Sequence, residues 1–445
     1  MKKFHLFLVD IQNDFHEGGS LGVDGAKENA KTVIETIIKP YMKQIDGITV
    51  SLDIHEVVDI AHKWFWIPDD TMQAKYSTNF PNNPPQPKHP PNFSQLHFFN
   101  TDSPVESDNA TIKSGEKVFI GSSFGSDLKA QLLKEGYQVP SSSSNADEDK
   151  KELEKYNNIK DNEEYKFYWK PADAGLRKYC EKYFVELQRS HDEVSSDGHS
   201  RTHEKITTNI TSKVSERLFH MIWPDHCLQG SIGQCVYKEY LDVLIEWSEI
   251  NQKDVRYVLK GSNPLCEMYS AIRAEVPVDG DVSTFPNVSL LKYLLNATKG
   301  SDMLGLVLAG QALTHTVRYT MNDILKYWPA AEHEAWKEKE RVNAQLNWSS
   351  DGGYSTKNNQ KESINSSLSD LKEESIDLLD PLDEKYVFNG NLYLLSDGCG
   401  YIKSKNKGMT EAITRNTDKW LANVKKIEGV NVIECKDLGP LLNIQ

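Results

Sequence analysis

No run of about 18 apolar residues exists in this 445-residue chain, so a membrane-spanning helix is excluded. Its six cysteines (Cys180, Cys227, Cys235, Cys266, Cys399 and Cys435) contain no CxxC pair. They read as reduced thiols of a cytosolic protein rather than as a disulfide framework. Positive charge is in deficit: 51 Lys and Arg against 65 Asp and Glu leave a formal net charge of -14. That balance offers no basic footprint and argues against nucleic acid as a partner. Residues 1–14 lack an apolar stretch of signal-peptide length, because Asp10 and Asn13 interrupt it, so the expected location is cytoplasmic. No internal repeat is present. With 38% hydrophobic and 26% charged residues, the composition fits a soluble globular protein and excludes a collagenous or coiled-coil rod.

Against those absences stand several patterned segments. His5 to Asp10 (HLFLVD) is a short apolar run ending in an acid, as a buried parallel strand does at the carboxyl edge of its sheet. A helix is predicted over 30–42, and a second strand, GITVSL at 47–52, is followed by Asp53. This β-α-β order predicts a parallel sheet with right-handed crossovers. Further strands are predicted at 117–120, 218–223, 254–259, 303–309, 391–396 and 430–433. Helices are predicted at 163–187, 237–250, 289–297, 311–327 and 409–424. The segment PNNPPQPKHPPN at 81–92 cannot continue a helix or a central strand and reads as a surface linker. Runs at 141–162, 189–211 and 346–380 are polar, and solvated disorder is their default reading. The simplest organisation is a single α/β domain with polar insertions at about 80–215 and 335–385.

In an open parallel sheet, ligands bind outside the carboxyl ends of the strands. Asp10, Asp53 with His55, Lys260 and the Gly310 to Thr316 turn all fall at predicted strand ends. Acids in such places often cap the next helix, but capping does not account for the whole set. Residues two apart on an extended segment point the same way, so Asp53-Ile-His55 offers a carboxylate and an imidazole on one face. That is half of a zinc- or iron-type site. His226, in WPDHC, is the leading candidate for a further ligand, and His62 is the other. Lys260 near a carboxylate such as Asp10 would keep that acid ionised or share its proton.

The segments LFLVDIQNDF (6–15), SLDIH (51–55), WPDHCLQGSIG (223–233), KG of KGSNPLCEMYSAI (260–272) and AGQALTHTVRYTMNDI (309–324) together resemble the isochorismatase-like cysteine hydrolases, and within them the nicotinamidase branch. The resemblance implies a doubly wound, mostly parallel sheet of about six strands with helices on both faces. It implies Asp10 as general base, Lys260 as its partner, and Asp53, His55 and His226 as ligands of a divalent metal, zinc first, iron or manganese otherwise. It places the oxyanion hole at the backbone N–H groups of Ala312 and residue 316. The substrate would be a small pyridine amide, and homo-oligomers are common in that family. From the residues themselves, Trp64, Phe65 and Trp66, just past the metal motif, would either stack on a flat ring or pack in the core, and His315 would either orient a substrate or be a packed, backbone-bonded histidine.

The nucleophile position departs from the pattern: it holds Thr316, not cysteine. A thiol ionises near ~8.5, whereas an aliphatic hydroxyl needs strong assistance during attack. Internal threonine also lacks the N-terminal amine that threonine nucleophiles use as base. The expectation is a nicotinamidase-like hydrolase with turnover lowered by orders of magnitude. The alternatives are a catalytically impaired relative that binds a small ligand or a partner, and a non-thiol hydrolase of the isochorismatase type.

Overall fold

The computed structural model describes residues 1–71, 86–100, 118–124, 165–192, 220–331, 388–402 and 407–443. The polar runs expected at 141–162 and 346–380 lie outside the described residues, as does 193–211 of the third.

A six-stranded parallel sheet forms the centre. Its strands are β1 (Lys3–Val9), β2 (Ile45–Asp53), β8 (Arg256–Lys260), β9 (Met303–Gly310), β10 (Leu392–Cys399) and β11 (Val430–Ile433), in the order β11-β10-β9-β1-β2-β8. Every residue of β1 from Phe4 onward is buried, which requires helices over both faces. On one side α1 (Ala26–Val33), continued by a π-helical turn over Ile34–Ile38, packs with α3 (Lys238–Asn251). On the other, α4 (Val288–Ala297) packs with α5 (Thr316–Ala331), and Tyr293 of α4 meets His5 of β1 edge-on. Helices α6 (Lys407–Val424) and α7 (Cys435–Leu442) complete the described framework. The α/β class and six parallel strands agree with the sequence reading.

The order of β9 beside β1 beside β2 beside β8 decides where the chemistry falls. Val9 pairs with Gly310 and with Ser51, and Asp53 pairs with Lys260. Asp10, the 311–316 turn, Asp53 and Lys260 therefore leave four neighbouring strands at one edge. Close approach is built in there: a Cβ on Gly310 (φ +136) would lie 2.0 Å from the Val9 carbonyl oxygen, a contact only glycine permits.

A second sheet takes in the strands expected at 117–120 and 218–223 and adds three more. Strands β3 (Trp66–Pro68), β4 (Gln95–Asn100), β5 (Val118–Phe124), β6 (Tyr165–Pro171) and β7 (His220–Met221) pair antiparallel in the order β3-β6-β5-β4-β7. Helix α2 (Arg177–Asp192) packs on β5 and β6. Together they enclose a separate core that includes Trp66, Phe167, Trp169, Tyr183 and Phe184. The helix expected over 163–187 is thus a strand followed by a helix. The aromatics at Phe167 and Trp169 follow period two rather than helical spacing, and both are buried. The strand expected at 218–223 is shorter, and the helix expected from 311 begins only at Thr316. Helix α7 was not anticipated.

Candidate metal and amide site

Two extended segments run side by side at the carboxyl edge. His55 N donates to Cys227 O at 3.0 Å, Gln229 N to His55 O at 2.9 Å, and Trp223 N to Ala61 O at 2.8 Å. These backbone bonds carry His55 and His62 on one segment and His226 on the other. The three side chains are buried, and their ligand-capable atoms lie within 4.8 Å of one another.

Each imidazole has one nitrogen held from outside the cluster. His55 Nδ1 is 2.9 Å from Asp59 Oδ2, and His62 Nδ1 is 3.2 Å from the Glu56 carbonyl. His226 Nδ1 is 2.8 Å from the Pro224 carbonyl. Such partners orient the rings: Nε2 of His55 and of His226 faces Asp53, and Nε2 of His62 faces His226. Asp53 Oδ2 sits 3.2 Å from His55 Nε2 and 3.6 Å from His226 Nε2. One carboxylate and three imidazoles, oriented in this way, fit a first-row divalent cation such as zinc, iron or manganese. His62, second choice in the sequence reading, joins Asp53, His55 and His226. The Asp59 carboxylate behind His55 was missed, although its i+4 spacing from His55 was legible.

Next to this cluster lies a buried charge relay. Lys260 Nζ is 3.0 Å from Asp10 Oδ2 and 3.0 Å from Asp53 Oδ1, and it donates to the Met268 carbonyl at 3.0 Å. Ser51 Oγ donates to Asp10 Oδ1 at 2.6 Å. Asp10 adopts φ 50, an uncommon conformation for a residue with a Cβ. Burial is the largest influence on Asp10 and, against the pull of Lys260, raises its carboxyl to about 6. Burial opposes ionisation of Asp53 too, but His55 and Lys260 outweigh it and hold that carboxyl well below the ordinary range. Burial likewise works against the Lys260 ammonium, yet the two carboxylates keep it above its usual value. Lys260 thereby joins the two carboxylates: one oxygen of Asp10 and one of Asp53 share its charge.

The turn after β9 begins beside Asp10, since Gln311 N donates to Val9 O at 2.9 Å. Thr316, buried, opens α5, where the first-turn N–H groups of a helix favour negative charge. Its hydroxyl donates to the Gln311 carbonyl at 2.5 Å. Ala312 is buried in an apolar cluster with Phe15, Ala61, Trp223, Cys227 and Tyr269. Trp223 reaches across it: its ring stands 5.0 Å from His315, nearly perpendicular, and its Nε1 donates to the Tyr269 hydroxyl at 3.2 Å. Phe15 lies 5.5 Å from the His226 ring. Phe15, Trp223 and Tyr269 thus belong to one buried cluster that touches His226 on one side and His315 on the other. The sequence reading quoted all three inside its motifs without giving them this place.

Of the tryptophans expected to stack on a substrate, Trp66 is in the second core. It is fully buried, with its ring against Phe65, Phe184 and His220 and its Nε1 donating to the Ile60 carbonyl. A β-strand residue after the 3-10 turn at Lys63–Phe65 points into that core, so Trp66 is not part of the cluster of Phe15, Trp223 and Tyr269. Trp64 is half-buried and donates from Nε1 to Asp225 Oδ2 at 2.7 Å.

No protein-family model matches the chain, and no curated protein does. Among solved structures it is similar to the yeast nicotinamidase, at 12% identity over 97% of this chain and 99% of that one, with a TM-score of 0.38. It is similar to a nicotinamidase/pyrazinamidase of Acinetobacter baumanii, at 14% identity over 98% and 99% with a TM-score of 0.37. It is also similar to the pyrazinamidase of Pyrococcus horikoshii in complex with zinc, at 12% identity over 97% and 99% with a TM-score of 0.33.

Proposed function

We propose that the chain is a nicotinamidase-like, metal-dependent amidohydrolase fold that takes a small heteroaromatic amide, with turnover limited by Thr316. The observation that carries this reading is Lys260, held 3.0 Å from both Asp10 and Asp53 while Asp53 adjoins a buried three-histidine cluster. The sequence motifs that resemble the nicotinamidase branch give Asp10, Lys260, Asp53, His55 and His226 these roles; His62 is added by the geometry.

Asp53, His55, His62 and His226 would hold the cation. When bound, a divalent metal in such a site supplies a Lewis acid that anchors and polarises a heteroatom of the substrate. The chain's own residues do the rest. Phe15, Trp223 and Tyr269 flank a flat ring and exclude water. Ionised Asp10 accepts a proton from the attacking group, and Lys260 steadies the resulting charges. The N–H groups of Ala312 and Thr316 serve the oxyanion of a tetrahedral intermediate. Thr316 Oγ is the atom at the nucleophile position, and its proton is engaged by the Gln311 carbonyl.

That engagement favours a second reading: the site binds its ligand without turning it over. The two readings separate in an ammonia-release assay with nicotinamide on zinc-loaded protein, comparing wild type with Thr316→Cys. A thiol ionises far more readily than a hydroxyl. The variant is expected to release ammonia at least about 100-fold faster, equivalent to roughly 2.7 kcal/mol of barrier. Equal rates above background would contradict the assignment of residue 316 as the limiting group. Two inactive proteins that bind nicotinamide would favour the binding reading.

A further inference from the structure

The cation cradle is assembled from two segments that are far apart in sequence, and its geometry depends on what locks them together. One carries His62 and, two residues on, Trp64. The other carries His226 and, one residue before it, Asp225. The Trp64 indole donates to Asp225 Oδ2 at 2.7 Å. The two imidazoles meet at the same place, His62 Nε2 lying 3.4 Å from His226 Nδ1. Backbone pairing brings Trp223 alongside His62 and Leu228 alongside His55, and Asp225 and His226 lie between those two bridges. Between those bridges the Trp64–Asp225 bond joins the two segments side chain to side chain, next to the His62–His226 contact. The Trp64 ring is held in turn by His89, whose ring stands 5.0 Å away while its Nδ1 lies 2.9 Å from the Trp66 carbonyl. His89 is the residue of the described segment 86–92 that makes these contacts. The second oxygen, Asp225 Oδ1, is buried with no hydrogen-bond partner among the described residues. The carboxylate is thus kept inward at a desolvation cost that its bond to Trp64 offsets.

We propose that Trp64 and Asp225 form a positioning clamp that sets the His62 and His226 imidazoles for a divalent cation, rather than Trp64 serving as a substrate-stacking ring. The inference rests on the metal reading above. Outer partners of metal ligands of this kind typically contribute about 10- to 100-fold in metal affinity.

The test is a zinc titration against a chromophoric chelator, run on the full-length wild type, Trp64→Phe, Asp225→Ala and the double variant. Visible spectra of the cobalt-loaded proteins accompany it. Each single variant is expected to weaken zinc binding about 10- to 100-fold and to shift the cobalt bands. The double variant is expected to be no weaker than the worse single, since both remove one bond. Asp225→Asn, which keeps an acceptor oxygen, is expected to bind zinc more tightly than Asp225→Ala. This milder variant also serves if the others fail to fold. Wild-type zinc affinity and an unchanged cobalt spectrum in Trp64→Phe would overturn the clamp alone. Additive losses in the double variant would overturn it too. A wild-type chain that takes up no zinc would overturn the metal reading and the clamp with it.

Discussion

Lys260 is the residue on which the site's electrostatics turn. It is buried with both of its carboxylate partners, so removing its charge leaves two buried acids facing each other. Breaking a buried ion pair from one side costs about 3–5 kcal/mol. Lys260→Met is therefore expected to lower the unfolding free energy by about that amount, measured by urea denaturation at neutral pH. A loss below about 1 kcal/mol would mean the ammonium is not balancing both acids. Much of this site was legible residue by residue. Asp53 and His55 were readable because residues two apart on a strand share a face. His226 and Lys260 were legible as candidates from the residues, and the motif resemblance added their roles. The buried aromatic cluster was not legible, because Phe15, Trp223 and Tyr269 come from three segments far apart in sequence. Their convergence follows only from strand order. Trp66 illustrates the opposite error: nearness in sequence to a ligand does not imply nearness in space, and one residue of register sends a side chain to the other face.

Among the elements, β1 and β9 carry the closest approach in the central sheet. The missing side chain of Gly310 lets the Val9 carbonyl accept from Gln311 N and starts the turn toward Thr316. Gly310→Ala places a methyl group 2.0 Å from that backbone oxygen at a φ of +136. Backbone conformations of this kind cost about 1–3 kcal/mol for residues with a Cβ, before the clash is counted. The variant is expected to lose at least that much stability, read from thermal or urea unfolding; wild-type stability would contradict the register of β1 on β9. The central strands were legible because a strand covered on both faces is a continuous apolar run, as in residues 303–310. The second sheet was hidden for the converse reason. Its strands β4, β5 and β6 are separated by long polar stretches, and of these three only β5 was anticipated, at 117–120. An aromatic cluster in such a context fits a helix and a strand equally well.

At the scale of the whole molecule, buried histidines in both cores couple folding to pH. His5 in the central sheet bonds Thr49 Oγ1 through Nε2 at 2.8 Å, and His220 in the second sheet reaches the Ile60 carbonyl at 2.6 Å. Burial lowers each from 6.5 to about 4, so both are neutral in the folded state at pH 7. The unfolded chain binds protons first as pH falls, so their contribution is present above 6.5 and is lost progressively toward 4. Buried Asp10, Glu267 and Glu275, raised to about 6, 7 and 8, act in the opposite direction. Single-residue comparison isolates the histidine effect. The stability difference between wild type and His5→Gln is expected to shrink by up to about 3 kcal/mol as pH falls through that window. A difference independent of pH would contradict the neutral, buried assignment of His5.

The most direct measurement is calorimetric titration of nicotinamide into zinc-loaded and metal-free wild-type protein, which asks whether one cavity holds both cation and amide independently of turnover. Nicotinamide binding that appears only with zinc, and vanishes in an Asp53→Ala, His55→Ala variant, is the predicted result. Equal affinity with and without the metal, or no binding in either form, would contradict it.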